Sequence, residues 1–363
     1  MVTSASEPWI HAGHRPENEE PAPVTGELAA ALRLPAGFVL IAEDPSIGPA
    51  VSTSLARVEK RLLEAISNSD PFADATSRHL VEAGGKRIRP LLTILASHLG
   101  DASAPQVVQA AVVVELTHLA TLYHDDVMDS APLRRGAPTA HSVWGNSVAI
   151  LTGDLIFARA SILVSELGAE ALRIQARTFE RLCLGQLHET VGPQDEDPLE
   201  HYISVLADKT GSLVAASGQL GALLAGAPRE YVDVMVAYGE AVGVAFQLAD
   251  DVIDFVSVES GKTQGTDLRE GVPTLPVLLL RRAAAAGDRS AQLVLELVDE
   301  DLSGDEALRA AVAAVGDHPV IDEAWDVARS WSQRAVDALD GLPEGTVKAA
   351  LTDFARAVVD REK

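Results

Sequence analysis

From Ser52 onward the apolar positions of this chain recur at helical spacings. Leu55, Val58, Leu62 and Ile66 fall three or four residues apart, forming one stripe of an amphipathic helix. The same period runs through 105–129, 138–166, 168–191, 211–226, 229–256, 273–286 and 318–340, with a last stretch near 345–361. The breaks fall at Gly or Pro, at Gly84-Gly85, Pro132, Gly192-Pro193, Gly226-Ala227-Pro228 and Gly271-Val272-Pro273. Runs of alternating polarity, which a half-buried strand needs, are scarce, and no repeat of solenoid period is visible. The pattern predicts a single all-α bundle of long helices around a central cavity, over residues 49–363. Residues 1–48 are rich in Pro, Glu, Ala and Gly without a stable period. They predict a flexible N-terminal extension with a short ordered piece near Phe38–Ile41.

Composition sharpens this reading in two places. The formal net charge is −24, a field that repels a phosphate backbone and argues against a nucleic-acid partner. With only 29 basic residues in the chain, clusters of Lys and Arg become informative. Cys183 is the sole cysteine, which excludes an internal disulfide, and its apolar neighbours predict a small core residue. The first twenty residues lack a basic start followed by an apolar run. No stretch of about 18 uninterrupted apolar residues occurs, so no transmembrane segment and a cytoplasmic location are expected.

The chemistry is concentrated in two segments of the same form. Residues 121–129 read TLYHDDVMD and residues 246–254 read FQLADDVID. Each places Asp-Asp-x-x-Asp at the end of an apolar helix: Asp125, Asp126 and Asp129, then Asp250, Asp251 and Asp254. A spacing of four puts Asp125 and Asp129 on one face, and likewise Asp250 and Asp254. Like charges at that spacing destabilise a helix unless something compensates them. Mg²⁺ suits carboxylate oxygens, and it commonly completes its shell with water and substrate phosphates. Two clusters without His or Cys therefore point to a diphosphate held between metals. Basic residues flank both: Lys86, Arg87 and Arg89 in GGKRIRP, Arg134-Arg135-Gly136 just after the first cluster, Lys209-Thr210-Gly211 between them, and Gly261-Lys262 after the second.

In this order and spacing, GGKRIRP, DDVMD followed by RRG, KTG, and FQLADDVID followed by GKTQGTDLREGVPTLP resemble the trans-polyprenyl diphosphate synthase family. The resemblance covers roughly residues 50–360. It implies a deep cavity with the aspartate motifs facing across its mouth, usually in a homodimer. It implies three Mg²⁺ ions, with Asp125 and Asp129 on two of them, Asp126 in support, Asp250 on the third and Asp254 nearby; Asp251 is less clearly assigned. Arg134, Lys209 and Lys262 would hold the allylic diphosphate. Lys86, Arg89, His118 and Arg135 would receive isopentenyl diphosphate, and Thr210 and Gln247 would stabilise the developing cation and steer proton loss. The loop after the second motif varies in length, so Lys262 is matched through its Gly-Lys pair alone.

The helix leading into Asp125 bears on product length. Positions one turn back hold Ala120 and Thr121, with Thr117 a turn deeper, and all are small. Each opened turn adds about 5.4 Å, close to one isoprene unit. Short-chain members of the family close the channel near here with bulky aromatics, and HLATLYHDDVMD resembles the long-chain quinone-tail synthases. The resemblance therefore implies a product of roughly six to ten units. A quinone side chain is the destination that the resemblance implies. Phe157 or Phe179 would close the channel. Competing readings are a short-chain geranylgeranyl diphosphate synthase and a non-catalytic partner subunit, although no motif is eroded. A terpene cyclase lacks the second aspartate motif. A ferritin-type di-metal bundle needs a second copy of Glu115-x-x-His118, and none is present.

Overall fold

The structure, a computed structural model, describes residues 38, 41, 44–256 and 264–360. Its helices are α1 (Gly48–Ile66), α2 (Pro71–Glu82), α3 (Ile88–Ser97), α4 (Pro105–Met128), α5 (Ala140–Trp144), α6 (Asn146–Ser165), α7 (Ala169–Val191), α8 (Pro198–Leu206) and α9 (Ser212–Leu224). They continue as α10 (Arg229–Val256), α11 (Thr266–Arg269), α12 (Leu275–Ala285), α13 (Arg289–Val298), α14 (Asp305–Gly316), α15 (Val320–Ala338) and α16 (Thr346–Val359). One small hairpin, β1 (Leu133–Arg134) with β2 (Ala137–Pro138), interrupts them.

Two long helices form the centre. Helix α4 is buried on nearly every side from Val107 to Asp126, as expected of a helix that is apolar all round and has neighbours on every face. It packs on α6, α3 and α9, while α10 packs on α9 and α15. The last turns of α4 and α10 carry the two aspartate motifs. The core therefore fixes where both carboxylate sets emerge.

Three sequence expectations change here. The stretch 138–166 is two helices, broken at Gly145, whose φ of 85° suits a residue without a side chain. Cys183 is exposed on α7: of the two apolar neighbours that suggested a core site, Leu182 is buried but Leu184 is exposed, and Cys183 falls on the outward side with Leu184. Finally, three helices are long and apolar enough to cross a membrane by length and composition: α4, α6 and α10. Requiring an uninterrupted apolar run is too strict, because a few polar residues are averaged out over a window. Most of α4 and α10 is nonetheless covered by other helices, whereas only 33% of the apolar window of α6 is buried.

Candidate active site

The ends of α4 and α10 open into one cavity of about 1080 Å³. Asp125, Asp129, Lys86, Arg89, His118, Arg134, Arg135, Lys209, Thr210, Gln247 and Thr121 all line it. Lys262 lies outside the described residues. Asp250 and Asp254 sit half-buried on α10, beside the lining residues Gln247 and Asp251.

The cationic wall is built by local backbone geometry. Arg134 and Arg135 project from the β1–β2 hairpin, whose turn places Arg135 at φ 56° and Gly136 at φ 78°, the pairing a tight two-residue hairpin requires. Arg135 donates to the carbonyls of Leu80 and Gly84. Gly85 has φ 151°, which side-chain-bearing residues rarely adopt, and a Cβ there would also lie 2.9 Å from the Arg135 guanidinium carbon, so glycine suits the first basic motif at this position. Arg87 precedes α3 at φ 49°, an uncommon conformation for a residue with a side chain. It is held there by Glu59 at 2.6 Å and Glu115 at 2.8 Å. Glu115 is itself buried, and the Arg89 Nε has no hydrogen-bond partner. Burial, together with Arg89, Arg135 and other Arg residues, keeps His118 well below its ordinary pKa and hence neutral at pH 7. This basic wall, with Lys86, Arg87, Arg89 and Arg135, carries positive charge in excess of its own buried carboxylate, Glu115, and an anion is its natural occupant.

Lys209 and Thr210 lie in a π-helical turn, Ala207–Gly211, between α8 and α9. Such turns recur where a side chain must be re-aimed. A Cβ on Gly243 would meet the Gly211 Cα at 2.8 Å, so this turn rests directly on α10 across from Gln247. Lys209 pairs with Glu189.

The carboxylates divide by environment. Burial, and to a smaller extent Asp129, pushes Asp125 up to about 6, against the lowering pull of Lys209. Asp129 is raised chiefly by burial as well. These are under-compensated carboxylates on a cavity wall, the donor chemistry that a hard divalent cation would satisfy. Among the described residues no three acidic, His or Cys groups converge on one point; Mg²⁺ commonly completes a shell of one or two carboxylates with water and substrate phosphates.

Asp126 departs from its expected place. Its side chain is buried, its Oδ1 accepts from Arg134 Nε at 2.7 Å, and its Oδ2 has no hydrogen-bond partner. At one residue beyond Asp125 it points about 100° away from the cavity, so it positions Arg134. Asp251 is buried in the same way, accepting from Tyr202, Gln247 and the backbone N–H of Leu275, and burial pushes it up to about 8. It ties α8, α10 and α12 together beneath the site.

The channel residues are also corrected. Thr121 lines the cavity, but Ala120 and Thr117 are fully buried away from it. Ala120 abuts α6, where its carbonyl oxygen would lie 3.1 Å from a Cβ on Gly153. Thr117 donates to the Val113 carbonyl and accepts from Gln175 Nε2 at 2.6 Å. Phe157 and Phe179 stack on each other at 3.7 Å between α6 and α7, off the cavity wall. Sequence reading missed Glu115, Glu189, Tyr202, Asp267 and Glu270 on that wall. The last two stand in TDLRE, a segment that carries part of the resemblance but to which the sequence assigns no role of its own.

A pH dependence follows. Asp125 and Asp251 sit above the usual 3.8, so between that pH and about 8 the native state binds protons that the unfolded chain has released. These two carboxylates make the metal-free protein less stable as pH rises across this window. The opposite slope comes from His98 and His118, which burial holds below the ordinary 6.5 so that they take up protons on unfolding below that pH, and, under 3.8, from Asp101, Asp288 and Asp301 held low by Ser hydrogen bonds. The unfolding free energy from denaturant titration is expected to drop most clearly between pH 6.5 and about 8, by on the order of 1–2 kcal/mol, as Asp251 loses its proton. Asp251→Asn should remove the upper part of that slope.

Known proteins agree with this geometry. The polyprenyl synthetase family pattern matches residues 70–315. The nonaprenyl diphosphate synthase of Mycobacterium tuberculosis is 44% identical over 323 residues, 88% of this chain and 95% of that protein. The geranylgeranyl pyrophosphate synthase of Corynebacterium glutamicum, solved with calcium and isoprenyl diphosphate, superposes with a TM-score of 0.79 at 42% identity, covering 88% of this chain and 98% of its own. A decaprenyl diphosphate synthase from Rhodobacter capsulatus gives 0.78 at 32% identity, covering 93% and 99%. With both aspartate motifs and the basic segments set around one helical cavity, the chain belongs to the polyprenyl synthetase family.

Proposed function

We propose that this protein is a prenyltransferase that lengthens an allylic diphosphate with isopentenyl diphosphate, giving a long-chain polyprenyl diphosphate. The observation that carries the reading is the cavity itself, with acidic Asp125 and Asp129, two sets of diphosphate-sized cationic groups, and an apolar interior in one space. Arg134 and Lys209 are suited to the allylic diphosphate, and Lys86, Arg89 and Arg135 to the isopentenyl one. Asp125, Asp129, Asp250 and Asp254 are the residues that would hold Mg²⁺, three ions by family resemblance. Bound Mg²⁺ would supply charge neutralisation for the departing diphosphate.

The rest of the chemistry falls to the chain. Cationic side chains stabilise the diphosphate as it leaves, and the allylic C–O bond ionises to a carbocation. The Gln247 amide and the Thr210 hydroxyl offer their oxygen dipoles to that cation. The isopentenyl double bond attacks, and proton loss, with diphosphate as a plausible base, restores an allylic alkene. The apolar wall keeps out water, which would quench the cation.

Incubation with labelled isopentenyl diphosphate, Mg²⁺ and an allylic primer tests the reading. A product ladder passing four isoprene units supports it. Products ending at three or four units would instead favour a short-chain enzyme, a reading that the likeness to the Corynebacterium protein keeps in play. No incorporation by folded protein would favour a partner subunit.

We also propose a homodimer. Ile150, Leu151 and Ile162 on α6, with Leu184, Leu187 and Val191 on α7, are exposed apolar residues on adjacent helices. Several large apolar residues exposed on neighbouring helices support an interface on a protein of this charge. Leu187→Glu is expected to convert the dimer to a monomer in sedimentation velocity. An unaltered profile would place the interface elsewhere.

A further inference from the structure

Two parts of the chain outside the family-matched residues 70–315 meet on the catalytic cavity. Phe354 of α16 is one of the residues that line it. Behind Phe354, the ring of Phe38 stacks with centroids 4.3 Å apart and planes 20° from parallel. Phe38 is fully buried, and so is Ile41 a turn later.

The N-terminal segment is tied down where it leaves this contact. Asp44 accepts from the N–H and hydroxyl of Ser46 and from the N–H of Ile47, which sets the entry into α1. Its other carboxylate oxygen accepts from the Thr346 hydroxyl at the first turn of α16. Helix α16 is therefore held at its start by Asp44 and at its middle by Phe38. On the side facing α10, the Tyr238 hydroxyl donates to the Leu351 carbonyl.

We infer that Phe38 is a positioning residue for the prenyl cavity: it acts through Phe354 and fixes the apolar wall that the isoprenoid chain contacts. A packed interior transmits the loss of a buried ring to its neighbours, because little slack exists to absorb it. With Phe38 gone, Phe354 loses the surface behind it and can move out of the wall. Extensions of this kind, without periodicity, are ordinarily dispensable. Here one ring of the extension becomes part of the second layer of the active site. The inference rests on reading this cavity as the prenyl site.

A double-mutant cycle in the full chain tests the link. Phe38→Ala is expected to lower kcat/KM for chain elongation about tenfold, and Phe354→Ala by a similar factor. The double variant should be no worse than either single one, because Phe38 has nothing left to act through. Thermal melting of each variant is read alongside. Should Phe38→Ala fail to fold, Phe38→Leu, which keeps apolar volume but not the ring, should give a smaller loss that again vanishes in the Phe354→Ala background. Independent, multiplicative losses would overturn the inference, as would an unchanged kcat/KM in Phe38→Ala. An unaltered chain with no activity would overturn both the inference and the prenyl reading beneath it.

Discussion

Asp125→Asn is expected to reduce product formation by about a thousandfold or more, on the order of 4 kcal/mol of transition-state stabilisation, while leaving the protein folded. The two halves of this result come from one cause. Asp125 is pushed up to about 6 mainly by burial, with Asp129 adding repulsion one turn away. The metal-free fold therefore carries it at a cost above that pH, and the neutral amide removes the cost. Stability at pH 7 should rise by on the order of 1–2 kcal/mol. An amide cannot replace the anionic oxygen that a divalent cation and its diphosphate need. Steady-state turnover and thermal melting, measured on the same sample, separate the outcomes. Lost activity with raised stability supports a binding carboxylate. Lost activity with lost stability would mean that Asp125 is structural, as Asp126 and Asp251 are.

That contrast within each motif could not be read from the sequence. The spacing showed that Asp125 and Asp129 share a face, and helical geometry alone then turns Asp126 away. Its partner could not be inferred the same way, because Arg134 reaches Asp126 only through the β1–β2 hairpin. Asp251 poses the same difficulty, since Tyr202 and the start of α12 come from distant segments. The long helices were legible because their apolar positions repeat over many turns; the expected 229–256 is the observed α10. The short helices α8, α13 and α14 were not. Their caps were nonetheless visible, as with Asp288, whose side chain accepts from the N–H groups of Ser290 and Ala291.

The wall residues show a second limit. Glu189 and the pair Asp267 and Glu270 come from two distant places in the chain and reach the cavity only because of how α7 and α11 are placed. In a chain with 53 acidic residues, nothing local marks these three. Burial raises Asp267 and Glu270, with Asp129 contributing to both. The acidic mouth is thus wider than the two motifs, and the positive charge a substrate complex brings has more carboxylates to satisfy than the motifs supply.

Thr121→Phe is expected to shorten the product, ending the ladder at about three or four isoprene units, because the ring would fill the cavity roughly one 5.4 Å turn below Asp125. Thr121 is the small residue of that helix face which lines the cavity, and its hydroxyl is already satisfied by the His118 carbonyl at 2.8 Å. Replacing it removes no long-range bond, so turnover with a short primer should persist. The same ring at Ala120 has a different fate. That residue is fully buried, with its carbonyl facing Gly153 of α6, and a phenyl group there overpacks the core, costing about 1–3 kcal/mol. Chromatography of the dephosphorylated products, together with melting temperatures, distinguishes the two. Shorter products from Thr121→Phe with lower stability from Ala120→Phe would place the growing chain along the Thr121 face of α4. Shorter products from Ala120→Phe at unchanged stability would mean that the chain opens the α4–α6 contact as it grows, and that the wall seen around the empty cavity is not the one a long prenyl tail meets.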